Sequence, residues 1–253
     1  MSRRAATLFA LAALVFGALI WIGTDALETP ARVAALLLAG VLPPVLALQG
    51  TMTPTDVAQL RPLSVYASSL VLICALGILA WWGGVASGFT PESMGVVPVG
   101  LANGVLWTVG VVLFAIGVLA LGRALRWRET PMLELLLPRT AAERATFVVL
   151  SLGAGVFEEL AYRGFLIAAL RTASGSTALA VVVSSVAFGV MHGYQSATGA
   201  LRAATLGAVL AVPLLATGSI VPSVAAHALY DVIAGLFLAD WALRRRTASP
   251  LTG

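Results

Sequence analysis

The 253 residues are 60% hydrophobic and 10% charged, with a mean hydropathy of +0.99, whereas a soluble domain averages about 25% charged and about 45–50% apolar residues. This argues against a water-soluble globule, a disordered chain and a nucleic-acid-binding module. All fifteen basic residues are Arg and they cluster beside apolar runs, so the net charge of +4 marks membrane flanks, not a phosphate-tracking groove.

Eight apolar stretches, each near the ~20 residues that a ~30 Å hydrocarbon core demands of a helix, predict spans over residues 5–23, 31–49, 63–83, 101–122, 145–170, 177–193, 200–217 and 219–240. A bilayer forces backbone amides to pair internally, and the ~10-residue alternation of barrel strands is missing. The expected fold is therefore an all-α, polytopic membrane helix bundle. Residues 1–26, with Arg3, Arg4 and a Thr24-Asp25-Ala26 exit, also have features of a signal peptide. Their apolar stretch is long for an h-region and Asp25 suits cleavage poorly, so an uncleaved first span is expected. Pro43, Pro44 and Pro213 fall inside spans and predict kinks that neighbouring helices must absorb. The lone Cys74, inside the third span, offers no disulfide framework and reads as a small buried filler. The Gly100–Gly104 spacing reads as close helix packing. Residues 123–144 form the longest polar connection, and Leu133, Leu135, Leu136 and Leu137 among its charges predict a segment lying on the cytoplasmic surface.

Orientation follows from the Arg distribution. With the N-terminus inside, Arg3, Arg4, Arg61, Arg123, Arg126, Arg128, Arg139, Arg144, Arg202 and Arg244–Arg246 are cytoplasmic, and only Arg32 and Arg171 lie outside. That bias predicts both termini in the cytoplasm. Trp21, Trp81, Trp82, Trp107, Trp127 and Trp241 stand near span ends, as an interfacial aromatic belt requires. The chain divides into a four-span region over 1–140, a polar-bearing core over 141–240 and a basic tail over 241–253.

The core carries ionisable residues at membrane depth. A charge at the centre of a helix costs about 2.5–3.5 kcal/mol on insertion scales, so such groups mark a functional site by default. Glu159 and Arg163 stand i, i+4 and predict an intrahelical ion pair. Glu158 is turned away from Glu159 by about 100° and lies within reach of Tyr162. Phe188 and His192 share a face. So do His227 and Asp231, where the carboxylate could fix the imidazole tautomer. A carboxylate and an imidazole in a dry cavity can activate water, and a second imidazole can stabilise an oxyanion.

Glu158-Glu159 through Arg163 fit EExxxR, Phe188 to His192 fit FxxxH, and His227 to Asp231 fit HxxxN/D, in order on successive helices. In this the sequence resembles the CPBP (ABI) family of intramembrane proteases, which includes the Rce1-type CAAX prenyl endopeptidases. The resemblance covers roughly residues 141–240. It implies that Glu158 activates water with His192, that Glu159 and Arg163 support the site, and that His227 and residue 231 stabilise the oxyanion. The departure is Asp231, where Rce1-type enzymes generally have Asn; an ionised Asp cannot donate a hydrogen bond. Some family members are called metalloproteases, and Glu158, His192 and His227 are chemically acceptable zinc ligands. The HExxH spacing is missing, and catalysis without a cofactor is slightly favoured.

The expectation is thus an intramembrane endopeptidase acting on a peptide or protein substrate at the membrane, in contact with the lipid bilayer, with no nucleic acid and with the oligomeric state left open. The Arg-only, Ala-rich composition points to a GC-rich bacterial genome and its cytoplasmic membrane, where a prenylated substrate is not expected. Two alternatives are a non-catalytic scaffold or immunity-type member of the same family and a proton-coupled transporter. The latter would more often show repeated halves with broken helices.

Overall fold

The computed structural model describes residues 3–48, 59–127, 130, 133–134, 136–239 and 241, with side chains from Thr7 onward. The side chains of Arg3 and Arg4, together with Gln49, Arg128, Leu135, Asp240, Arg244–Arg246 and the rest of the tail, lie outside the described residues.

Eight helices stand where eight spans were expected: α1 (Arg3–Gly23), α2 (Thr29–Ala47), α3 (Pro62–Val85), α4 (Leu101–Ala124), α5 (Ala141–Ser174), α6 (Thr177–Gln195), α7 (Ala197–Thr217) and α8 (Val221–Leu238). Seven of them, α2 to α8, are long and apolar enough to cross a membrane, and α1 adds the shorter apolar stretch Thr7–Gly23. Among the described residues there is no strand. The architecture is an all-α polytopic membrane bundle.

Helix ends follow local chemistry. Thr140 and Glu143 form a capping box that starts α5, with the Thr140 and Arg139 amides donating to Glu143 Oε2. Ser176 caps α6 and Ser196 caps α7. α5 and α7 end at Gly175 and Gly218, both left-handed at φ 68° and 72°.

The kinks expected at proline take a specific form in α2. Pro43 and Pro44 lack the amide hydrogen that carbonyls of the preceding turn need. That turn, Leu36–Val41, widens into a π-helix, and the Leu42 amide pairs with Leu37 O. The carbonyl of Leu38 is then satisfied from another helix, by the hydroxyl of Tyr162 on α5 at 3.2 Å. α5 has its own π stretch, Leu160–Leu166, directly after the paired glutamates. Ser184 of α6 donates to Tyr162 O there at 2.8 Å, so irregular backbone at membrane depth is tolerated because neighbours complete it.

α5 lies in the middle of the bundle. It packs on α3 and α8, its π stretch also meets α6, and α6 lies against α7 and α2. Ala161, Tyr162, Phe165 and Leu166 of α5 are fully buried with Ala34 and Leu38 of α2 and with Ala187 and Phe188 of α6. Close approach depends on glycine at two interfaces. A Cβ on Gly155 would stand 2.7 Å from Val224 O and 2.9 Å from Ala228 Cβ on α8. One on Gly189 would stand 2.6 Å from Ala200 O on α7. Gly100 and Gly104 do not mark such a contact: a Cβ added at Gly100 would meet nothing within 4 Å, and one at Gly104 only the side chain of Val99 at 3.4 Å. The spacing occurs at the start of α4, where among the described residues no other helix comes within reach of a side chain at either position. Cys74 is only half-buried, so it is no core filler.

Candidate active site

Between the helices lies a cavity of about 480 Å³. Its deep wall carries Glu158 of α5, His192 of α6, and His227 and Asp231 of α8. α3 and α4, consecutive in the chain yet barely touching one another, supply apolar lining such as Leu72, Leu76 and Val111. Towards the helix ends that bear Arg123 and Trp127 the lining includes Tyr66, Leu133, Leu136 and Leu137.

Glu159 faces away from the cavity into protein and is fully buried. Its Oε1 accepts from Arg163 Nη1 at 2.9 Å, the ion pair that the i, i+4 spacing predicts. The same oxygen lies 2.7 Å from His227 Nδ1. A carboxylate oxygen only accepts, so Nδ1 carries the hydrogen and Nε2 is turned to the cavity side. There Nε2 lies 3.6 Å from Asp231 Oδ2 and 3.9 Å from Glu158 Oε2. Neither is a hydrogen-bond distance.

Two expectations about these residues change. Glu159, not Asp231, makes the short bond that fixes the His227 tautomer, because the Gly155 contact brings the α5 backbone close to α8. Tyr162 does not partner Glu158: its hydroxyl goes to Leu38 O and Met191 Sδ, both at 3.2 Å. The hydroxyl is drawn across to α2, where the proline-broken turn leaves the Leu38 carbonyl without a helical donor.

Glu158 is left on the cavity wall, 5% exposed, and its Oε2 has no hydrogen-bond partner in the protein; Glu159 Oε2 and Arg163 Nη2 also lack one but do not line the cavity. A buried carboxylate oxygen without a protein partner is rare and calls for water or a ligand group. His192 is fixed by its own helix end. Nδ1 lies 2.8 Å from Phe188 O, and since a carbonyl accepts, the hydrogen sits on Nδ1 and Nε2 keeps a lone pair. Phe188 is a packing hub: its ring lies 4.5 Å from His192, 5.9 Å from His227 and 5.3 Å from Tyr162, and the Arg163 guanidinium sits 4.3 Å above it.

Sequence reading missed the segment between α4 and α5. It does not simply lie on the surface: Leu133, Leu136 and Leu137 line the cavity. Thr130 Oγ1 donates to Tyr194 O at 2.7 Å and the Thr130 amide to Gln195 O at 3.1 Å. Tyr66 donates to Leu136 O at 2.9 Å. The run of leucines among charges was the available signal. Two cations also line the cavity: Arg202, whose Nη2 donates to Gln195 Oε1 at 3.0 Å, and Arg123, which bonds Trp241 O and lies 4.7 Å from its ring centre.

Among the described residues no three His, Cys, Asp or Glu side chains are gathered so as to hold a metal ion. Glu158, His192 and His227 share the cavity without forming a zinc shell as packed.

The class defined by this fold and cavity is a polytopic helical membrane protein with a buried carboxylate–imidazole site. Residues 140–233, from the cap of α5 to just past Asp231, match the model of the Rce1-like family, described as type II CAAX prenyl endopeptidase Rce1-like. That match holds over somewhat more than a third of the chain and bears out the resemblance carried by the three motifs. No curated protein and no solved structure matches the chain.

Proposed function

We propose that the protein is an intramembrane endopeptidase that hydrolyses a peptide bond with water activated by Glu158 and His192. The observation that carries this reading is the unpartnered Glu158 Oε2 on the wall of a cavity it shares with His192, His227 and Asp231. The family match over these residues supports it.

In this mechanism water binds between Glu158 and the lone pair on His192 Nε2. Glu158 takes a proton as the water oxygen adds to the scissile carbonyl carbon. His227, oriented by Glu159, presents Nε2 to the oxyanion and stabilises it when that nitrogen carries a proton. Asp231 lies beside Nε2 and helps to keep it protonated. The intermediate collapses by breaking the C–N bond, and the proton held by Glu158 passes to the departing nitrogen. One water is consumed, and one carboxyl and one amino group form. General-base assistance of this kind contributes about 10²–10⁴-fold. With the Arg-rich ends in the cytoplasm, as the charge bias directs, the cavity mouth near Arg123 and Trp127 faces the cytoplasmic side of a bacterial membrane.

The test is peptidase activity on a quenched peptide library, in detergent and in liposomes, for wild type, Glu158→Gln and His192→Ala, with metal content measured on each. Cleavage lost in both variants without stoichiometric metal is the expected result. Full activity of Glu158→Gln would overturn the assignment. Stoichiometric zinc that disappears in His192→Ala would move the chemistry to a metal-bound water.

A further inference from the structure

We infer that Thr130, in the connection between α4 and α5, is a positioning residue for His192. This rests on the hydrolytic reading for its catalytic consequence, although the contact itself does not.

His192 is not held within regular helix. It opens a one-turn 3₁₀ segment, His192–Gln195, at the end of α6. The next residue, Ser196, has φ 145° and ψ 174°, a conformation that residues other than glycine rarely adopt. A turn ending in so unfavourable a backbone keeps its shape only if its surroundings fix it. On one side the Ser196 side chain caps α7, accepting from the Gly199 amide at 2.9 Å, and Arg202 holds the Gln195 side chain. On the other side Thr130 holds the backbone itself. Its hydroxyl and its amide donate to the consecutive carbonyls of Tyr194 and Gln195. The Tyr194 ring leans towards the His192 imidazole, with centroids 6.0 Å apart. Thr130 thus fixes the C-terminal side of the catalytic turn, while the Phe188 carbonyl fixes its N-terminal side.

The segment that carries Thr130 is itself anchored. The hydroxyl of the fully buried Tyr66 on α3 holds Leu136 O, and Leu133, Leu136 and Leu137 line the cavity in which a substrate would lie. Residues of one connection therefore reach both the space for substrate, through Leu133, Leu136 and Leu137, and the backbone beside a catalytic residue, through Thr130.

The test uses Thr130→Val, which removes the hydroxyl donor and keeps the amide, beside Thr130→Ser, which keeps both. The chain has two histidines, so isotope-labelled protein without a histidine tag gives two imidazole signals, assigned by His192→Ala. The Val variant is expected to move the His192 signal and leave that of His227 in place, and the Ser variant to restore it. In the peptidase assay Thr130→Val is expected to lower kcat about tenfold with KM little changed, as a small misplacement of a catalytic group does. The same change should add almost nothing in a His192→Ala background. An unmoved His192 signal would overturn the inference, as would equal losses in both backgrounds. A moved signal in a protein whose wild type cleaves nothing would leave the contact standing and count against the hydrolytic reading. Tyr66→Phe, which frees the far anchor, is expected to give a smaller effect of the same kind.

Discussion

A Cβ added at Gly110 or Gly117, on α4, would meet nothing within 4 Å, whereas one at Gly155 on α5 would run into the backbone of α8. Both helices are long and apolar enough to cross a membrane, α4 being the more apolar, and each carries several glycines. In α4, Gly110 and Gly117 face open space, and Gly104 and Gly122 meet side chains of the adjoining connections, Val99 and Trp127, not another helix. In α5 and α6 the glycines let backbones come close enough for short side chains on different helices to meet. The difference shows why the polar groups lie where they do. The His227–Glu159 bond at 2.7 Å joins residues 68 apart in sequence, and it exists because Gly155 admits α8 four residues earlier on the same helix.

The sharpest way to break this comparison is to remove the charge at its centre. Glu159→Gln leaves Arg163 buried without its carboxylate, and losing one partner of a buried pair costs about 3–5 kcal/mol. A large fall in thermal stability in detergent is expected, with peptidase activity abolished. Unchanged melting would show that Arg163 is neutralised elsewhere. Gly155→Leu should come next, since overpacking a close contact costs about 1–3 kcal/mol. Its signature is a joint loss of stability and activity, because α5 must move off α8.

Asp231→Asn is expected to stay within about tenfold of wild-type activity, or 1.4 kcal/mol. Its carboxylate makes no short bond to His227, and an amide can donate where the carboxylate accepts. A complete loss in steady-state assays would make Asp231 a proton carrier instead. Gly117→Ala completes the series as the smallest change, within about ±0.5 kcal/mol in the same melting assay. A clear destabilisation there would mean that α4 packs on something in the membrane.

Much of this was legible from the chain. Apolar length alone located the eight helices, and the i, i+4 rule found the Glu159–Arg163 pair. The four residues expected at the catalytic centre line one cavity. Contacts that depend on long-range approach were not legible. Helical spacing assigned His227 to Asp231 because both lie on α8; the better partner was three helices away in sequence, on α5. Tyr162 was misplaced because its hydroxyl partners, Leu38 O and Met191 Sδ, lie on other helices and no local spacing points to them. Leu133, Leu136 and Leu137 read as a surface segment because nothing local shows that Tyr66 holds Leu136 O or that Thr130 bonds the end of α6.

The bond between Tyr162 and Leu38 O also bears on how the protein is made. The two residues are 124 positions apart. A chain inserted from its N-terminus places α2, with its proline-broken turn, in the bilayer long before α5 leaves the ribosome. During that interval the Leu38 carbonyl lacks the donor it has in the finished bundle, and an unsatisfied backbone group in hydrocarbon costs several kcal/mol. The early helices therefore have reason to stay near water, the insertion machinery or one another until the fifth arrives. A truncation ending before residue 162 should therefore leave α2 more prone to degradation than one ending after it.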